Sequence, residues 1–285
     1  MTNTTFLTLL LVGGFLASSS GVEKAPPSQQ QKQAVAAKQA PSRIKVSDLE
    51  AALIGKQIWR NECGGTKDGL LGWNQSETFA SLGIGHFIWY PKGNDARYEE
   101  SFPALLQFLQ VKKVPHLPSW LLETPDCPWN TKRAFDKAKS SKDKRLIELR
   151  EFLYNTVPQQ TEFVLHRLER SLDKMTATGS APEAHKLKQH FYALAETSAG
   201  KYALMDYVNF KGDGTNPNER YKGEGWGLLQ VLQAMGKKSS GEAAVQAFAK
   251  SAEDRLRRRT ENHPVDRRWL KGWTSRVSRY PQGVR

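Results

Sequence analysis

One change of rhythm constrains the fold of this chain more than any other feature. A helical segment runs to Glu62, and from Leu70 it gives way to short apolar runs broken by glycine. Ser47 followed by Glu50 has the spacing of a capping box, and no proline interrupts the chain from Val46 to Glu62. Gly64-Gly65 then stops the helix. Within it Glu62 follows Trp59 and Ile58 at helical spacing, so it shares their apolar face and is expected in a partly dry setting. Such a setting favours the protonated, proton-donating form of a carboxyl group. From Leu70 to Tyr90 the breaks at Gly72, Asn74, Gly83 and Gly85 predict a small hairpin or meander. Glycines at alternate positions, 83 and 85, would let a ligand approach the backbone closely.

The middle of the chain reads as helix. Apolar residues recur at three-to-four spacing over 102–111, 130–138, 143–154, 158–174 and 181–195, between turn residues. The expectation is an α+β, mostly α-helical domain, a small β-sheet lobe beside a larger helical lobe with a cleft between them. The polar run Asn209, Lys211, Asn216, Asn218, Glu219, Arg220 and Tyr221 offers groups that hydrogen-bond sugar hydroxyls and N-acetyl groups. Trp226 either supplies an apolar platform there or, with Leu228 and Leu229, begins a core helix.

Residues 1–21 read as a signal peptide: an apolar run over 6–17 is followed by small residues and is too short to cross a bilayer comfortably. No Lys or Arg precedes that run. Residues 22–45, rich in Gln, Ala, Lys, Ser and Pro, read as a disordered linker, and 46–285 as the folded domain. The protein is therefore expected to be exported, periplasmic or secreted. A formal charge of +13 attracts polyanions, and for an exported chain the acidic bacterial wall is the favoured one over nucleic acid or anionic lipid. The basic residues Arg255, Arg257, Arg258, Arg259, Arg267, Arg268, Lys271 and Arg276 read either as a solvated helix face or as a dedicated basic patch. No nucleic-acid-binding module surrounds them, and no specific protein partner is indicated, so a monomer is expected.

Cys63 and Cys127 are the only cysteines; an oxidising compartment allows a Cys63–Cys127 disulfide, with two buried thiols as the alternative. His86, His116, His166, His185, His190 and His263 are scattered, and neither a zinc spacing, a nucleophile elbow nor a phosphate loop is present, so no metal and no cofactor is expected.

Glu62 followed by Ser81-Leu82-Gly83-Ile84-Gly85-His86 resembles the phage-type lysozymes, endolysins that cut the glycan strand of peptidoglycan. Their signature is a Glu at the end of the first helix, a small sheet carrying an Asp, and a Thr-Ile-Gly-Ile-Gly-His element. The resemblance makes Glu62 the catalytic acid. Aligned back from His86, the family's Asp falls on Gln75, and Glu77 is the expected substitute, in preference to Asp68 in the Gly-rich turn. Ser81 would hold water or orient that carboxylate, and His86 would be a hydrogen-bonding residue beside the sheet. The segment from Tyr207 to Gly214 looks like the family's cleft wall, and the regions 241–251 and 269–280 look like its closing helices. The implied activity is muramidase cleavage of the β-1,4 bond between N-acetylmuramic acid and N-acetylglucosamine, with Asn209, Lys211, Asn216 and Tyr221 binding substrate. Three alternatives stay open: a lytic transglycosylase using Glu62 alone, an inactive wall-binding module, and, less favoured by so basic a surface, a chitosanase.

Overall fold

Ser47 begins the first helix as its spacing predicts. Its hydroxyl accepts the Glu50 N–H at 3.2 Å, and the Glu50 carboxylate accepts the Ser47 N–H at 3.1 Å. The resulting helix α1 (Asp48–Cys63) ends at Gly64, whose φ of 64° is the left-handed cap that glycine reaches without strain. The structure, a computed structural model, describes residues 44–94, 98–237 and 239–284. The signal peptide and almost all of the linker therefore lie outside the described residues. The start of the domain shifts slightly: Ile44, placed by sequence in the linker, is 2 % exposed and its N–H donates to Glu169 at 3.0 Å.

The predicted meander is a three-stranded antiparallel sheet of β1 (Leu71–Gly72), β2 (Ala80–Leu82) and β3 (Phe87–Trp89) in sequential order. Leu71 pairs with Leu82, and Ser81 pairs with Ile88. The turn between β2 and β3 is the Gly83-Ile84-Gly85-His86 element, and its glycines also make room for packing within the protein. A Cβ on Gly83 would stand 2.4 Å from the Gln160 side-chain oxygen, and one on Gly85 would stand 2.6 Å from the Phe87 ring. The close approach is made by the protein's own side chains.

Helices α2 (Phe102–Val111) and α7 (Ala181–Ala195) occupy their predicted ranges, and α4 (Lys132–Ser140), α5 (Lys144–Asn155) and α6 (Val157–Thr176) are displaced by one or two residues. The sequence reading missed α3 (Ser119–Glu123), too short to show a helical period. The chain closes with α8 (Ser198–Lys211), α9 (Leu228–Ala234), α10 (Gly241–Asn262) and α11 (Arg267–Val277). Among the described residues no helix is long and apolar enough to cross a membrane.

α6 joins the halves, packing on α1, α2, α7 and α8. It approaches α1 so closely that a Cβ on Gly55 would fall 2.1 Å from the Thr161 hydroxyl. Gln160 on α6, wholly buried, fixes the 83–86 turn: its side-chain oxygen accepts the Ile84 N–H at 2.9 Å, and its amide donates to Leu153 O at 2.6 Å. Under the sheet, Trp89 packs on Phe102 with ring centroids 4.8 Å apart and Trp129 packs on Phe135 at 5.5 Å. Side chains of this size contribute roughly 2–3 kcal/mol each when fully buried, so the small sheet is held by what lies beneath it more than by its short ladders.

The disulfide does not form. Cys63 and Cys127 are both buried free thiols, each facing a different carbonyl: Cys63 donates to Gly83 O at 3.3 Å and Cys127 to Trp129 O at 3.6 Å. Burial raises both thiols above their usual range, Cys127 to about 12. Cys63 closes α1 beneath the 83–86 turn, whereas Cys127 is tied through its N–H to Tyr90 O at 2.8 Å, at the far end of β3.

Candidate active site

A cleft of about 930 Å³ receives the end of α1, the sheet, α2, α6 and the segment from the end of α8 to Glu219. That volume suits several sugar rings. Of the residues singled out in the sequence, Glu62, Glu77, Ser81, His86, Asn209, Lys211 and Asn216 all line it. Tyr221 does not. Its ring stacks on His263 at 4.2 Å and on Trp226 at 4.7 Å, because the turn at 221–224 folds back on α10 instead of the cleft. Trp226 is buried, 5 % exposed, but precedes the N-cap Gly227 of α9 instead of beginning that helix, and it borders the cleft.

Glu62 projects from the last turn of α1, but its companions are charged rather than the apolar face expected. Arg276 donates to one carboxylate oxygen at 2.5 Å, and His86 Nδ1 lies 3.4 Å from the other. Arg276 is itself buried and stands on Asp206, a fully buried carboxylate that accepts its Nε at 2.8 Å, a terminal nitrogen at 2.7 Å and the Tyr280 hydroxyl at 2.7 Å. Asn61, the neighbour of Glu62, donates to Asp206 at 3.0 Å and to the Tyr202 hydroxyl at 2.9 Å. Burial opposes the charge of Arg276, yet Asp206 and Glu62 together hold it well above its usual value. The Tyr280 and Tyr202 hydroxyls are pushed up, first by burial and then by Asp206. Glu62 is thus oriented from behind by a buried, hydrogen-bonded cation.

Glu77 sits in the loop before β2, which the Trp73 ring N–H pins by donating to Glu77 O at 2.9 Å. Its carboxylate accepts the Ser81 hydroxyl at 3.4 Å. Gln75, at the position expected for an Asp, is exposed outside the cleft lining, and Asp68 is turned away and ion-paired with Arg150 at 2.6 Å. Of the candidates for a second carboxylate, Glu77 is the one that reaches the cleft with Glu62. Farther along, Glu219 is raised by burial while its carboxylate accepts the Asn216 amide at 3.4 Å, and Lys174 spans Glu99 at 3.5 Å and Asp213 at 3.7 Å. Both amide atoms of Asn209 are buried with no hydrogen-bond partner among the described residues.

Sequence reasoning missed Asp206, Tyr280 and the role of Arg276. Arg276 was grouped with a solvated basic face or patch, but it is 9 % exposed. Val277 and Tyr280 beside it were the available signal of a buried face. Much of the remaining basic set is paired as well: Arg258 with Glu224 at 3.1 Å and Arg259 with Asp266 at 2.7 Å. Among the described residues no cluster of three His, Cys, Asp or Glu side chains has the geometry to hold a metal ion. Compared with family models, with curated proteins and with solved structures, the chain shows no significant match to any of them.

Proposed function

We propose that this domain is a lysozyme-like glycoside hydrolase, a muramidase that cuts the peptidoglycan glycan strand between N-acetylmuramic acid and N-acetylglucosamine. The observation that carries this reading is the convergence of Glu62 and Glu77 on one cleft, with a buried cation behind the first and a hydroxyl on the second. Two carboxyl groups flanking a glycosidic bond are the usual equipment for its hydrolysis. Glu62 donates a proton to the departing oxygen, its orientation fixed by Arg276 and His86. Glu77 either activates water or faces the oxocarbenium charge that develops on the sugar ring, and Ser81 holds that carboxylate in place. Asn209 and Asn216 supply neutral polar contacts for hydroxyl and N-acetyl groups. An exported protein meets such a substrate in the bacterial wall, and a net charge of +13 draws it to that polyanion.

Digestion of purified peptidoglycan by residues 44–285, beside Glu62→Gln and Glu77→Gln, tests this reading by mass spectrometry of the soluble fragments. Reducing muropeptides that vanish in both variants are expected. Anhydro products lost only in Glu62→Gln would replace hydrolysis by transglycosylation, and tight binding without fragments would leave a wall-binding module.

A further inference from the structure

A column in which rings and cations alternate borders the cleft: Phe210, Lys211, Trp226 and Arg259 line it, while Trp273 and Arg276 belong to the column without lining the cleft. The Arg259 guanidinium lies 4.0 Å from the Trp226 ring and 4.8 Å from Trp273. Lys211 Nζ lies 3.6 Å from Trp273 and 3.9 Å from Phe210, and Arg276 lies 4.1 Å from the other contact of that column, the Phe210 ring. The two arginines have acceptors, Arg259 in Asp266 and Arg276 in Asp206 and Glu62. Lys211 has ring faces alone: among the described residues its ammonium makes no hydrogen bond and no ion pair. An ammonium has three N–H donors, and ring faces satisfy its charge only partly.

The last residue of α8, Lys211 borders the cleft near Glu62. We propose that Lys211 binds a carboxylate carried by the saccharide beside the scissile bond, so that the cleft selects acidic glycan over neutral amino-sugar polymer. This rests on the saccharide-cleaving reading above and deepens it. A hydroxyl would fill the donors of Lys211 but would bring no negative charge to a column that holds three cations, two of them, Lys211 and Arg259, on the cleft. A carboxylate does both. Burial first, then the neighbouring Arg259 and Arg276, pulls Lys211 well below its usual value against the opposing pull of Glu62 and Asp266, so its charged form is disfavoured until a further negative charge stands beside it. Two carboxylates in peptidoglycan have the right chemistry: that of the muramic lactyl ether, free once the peptide has been removed, and those of the peptide stem itself.

Equilibrium binding of three probes decides the matter: N-acetylglucosaminyl-N-acetylmuramic acid, its lactyl methylamide, and the same disaccharide bearing a peptide stem. None contains the bond that the proposed reaction cuts, so turnover does not interfere. The unsubstituted protein is expected to bind one carboxylate-bearing probe about tenfold more tightly than the methylamide, the scale of a charge-assisted hydrogen bond. Preference for the free acid identifies the lactyl group, and preference for the stem-bearing probe identifies the stem. K211M should lose the preference, its affinities for the acid, the stem-bearing probe and the methylamide converging, whereas K211R should keep it. A purely structural Lys211 would weaken all three probes alike. Equal binding of the acid, the stem-bearing probe and the methylamide by the unsubstituted protein overturns the inference while leaving saccharide binding intact, and no binding of any probe removes both.

Discussion

Asp206→Asn is the substitution on which the architecture of the site most depends. Asp206 is wholly buried and accepts four hydrogen bonds, two from Arg276, one from Tyr280 and one from Asn61. The amide removes the charge and turns an NH2 group toward donors, leaving Arg276 with Glu62 as its remaining ion-pair partner. Breaking a buried pair from one side costs about 3–5 kcal/mol. Because Glu62 still offsets part of the charge, the low end applies, about 3 kcal/mol. For a domain of this size each kcal/mol lowers Tm by roughly 2–4 °C, so a fall of about 6–12 °C is expected by circular dichroism, with a matching loss in urea titration. In a double-mutant cycle with Arg276→Met, the two substitutions should couple by at least about 1 kcal/mol, since the arginine that needs a partner is then gone. A cost below about 1 kcal/mol for Asp206→Asn, together with additivity in the cycle, would refute the view that this carboxylate supports Arg276 and hence Glu62.

Gly83→Ala meets both a φ of 68° and a contact of 2.4 Å to Gln160, so it should cost about 2 kcal/mol in denaturant titration and lower the proposed glycan cleavage; unchanged stability would contradict the packing described for the turn. His190 is 2 % exposed with neither ring nitrogen hydrogen-bonded among the described residues, and burial, then Lys186, lowers its pKa. Its neutral form is favoured on folding, so its share of stability is complete above about pH 6.5, the unfolded value, and is lost as pH falls below it. Between pH 7 and 5 the loss should be smaller in His190→Phe, as followed by Tm at each pH, and an identical loss would exclude His190 as its source. Thiol titration should find two reactive cysteines in denaturant and none in the native state, with Tm indifferent to reductant; a reductant-dependent Tm would restore the disulfide.

What the sequence displayed was mostly local. The Ser47–Glu50 capping box, the Gly64 stop and the apolar repeats of α2 and α7 are short-range signals that need no partner to be read. The presence of Glu62, Glu77 and Ser81 in one cleft was legible because the motif spans few residues and its register is fixed by the β2–β3 turn. The setting of Glu62 was not, since the helical face it shares with Ile58 and Trp59 says nothing about a cation arriving from α11. The same holds for Asp206, an acidic residue inside a helix whose burial depends on Arg276 and Tyr280 far downstream. Tyr221 was misplaced because a polar loop carries no periodicity to reveal which way it folds. Gly83 and Gly85 stand out in the sequence as glycines, but that their space is occupied by Gln160, Phe87 and Asn209 is not legible there, since two of those side chains arrive from α6 and α8.

The contact between Glu62 and Arg276 spans 214 positions of sequence, and this orders events as the chain folds. Until α11 docks, Glu62 lacks its cation and the column of rings and cations lacks Trp273. Local helices and the three-strand turn can form meanwhile, but closing so long a loop comes late, after the shorter-range contacts have reduced its entropic cost. A partly folded chain can therefore carry the cleft's sheet side before it carries a complete site, and truncation within the last helix, which removes Arg276 and Tyr280 from the buried Asp206, should lower stability as well as the proposed cleavage.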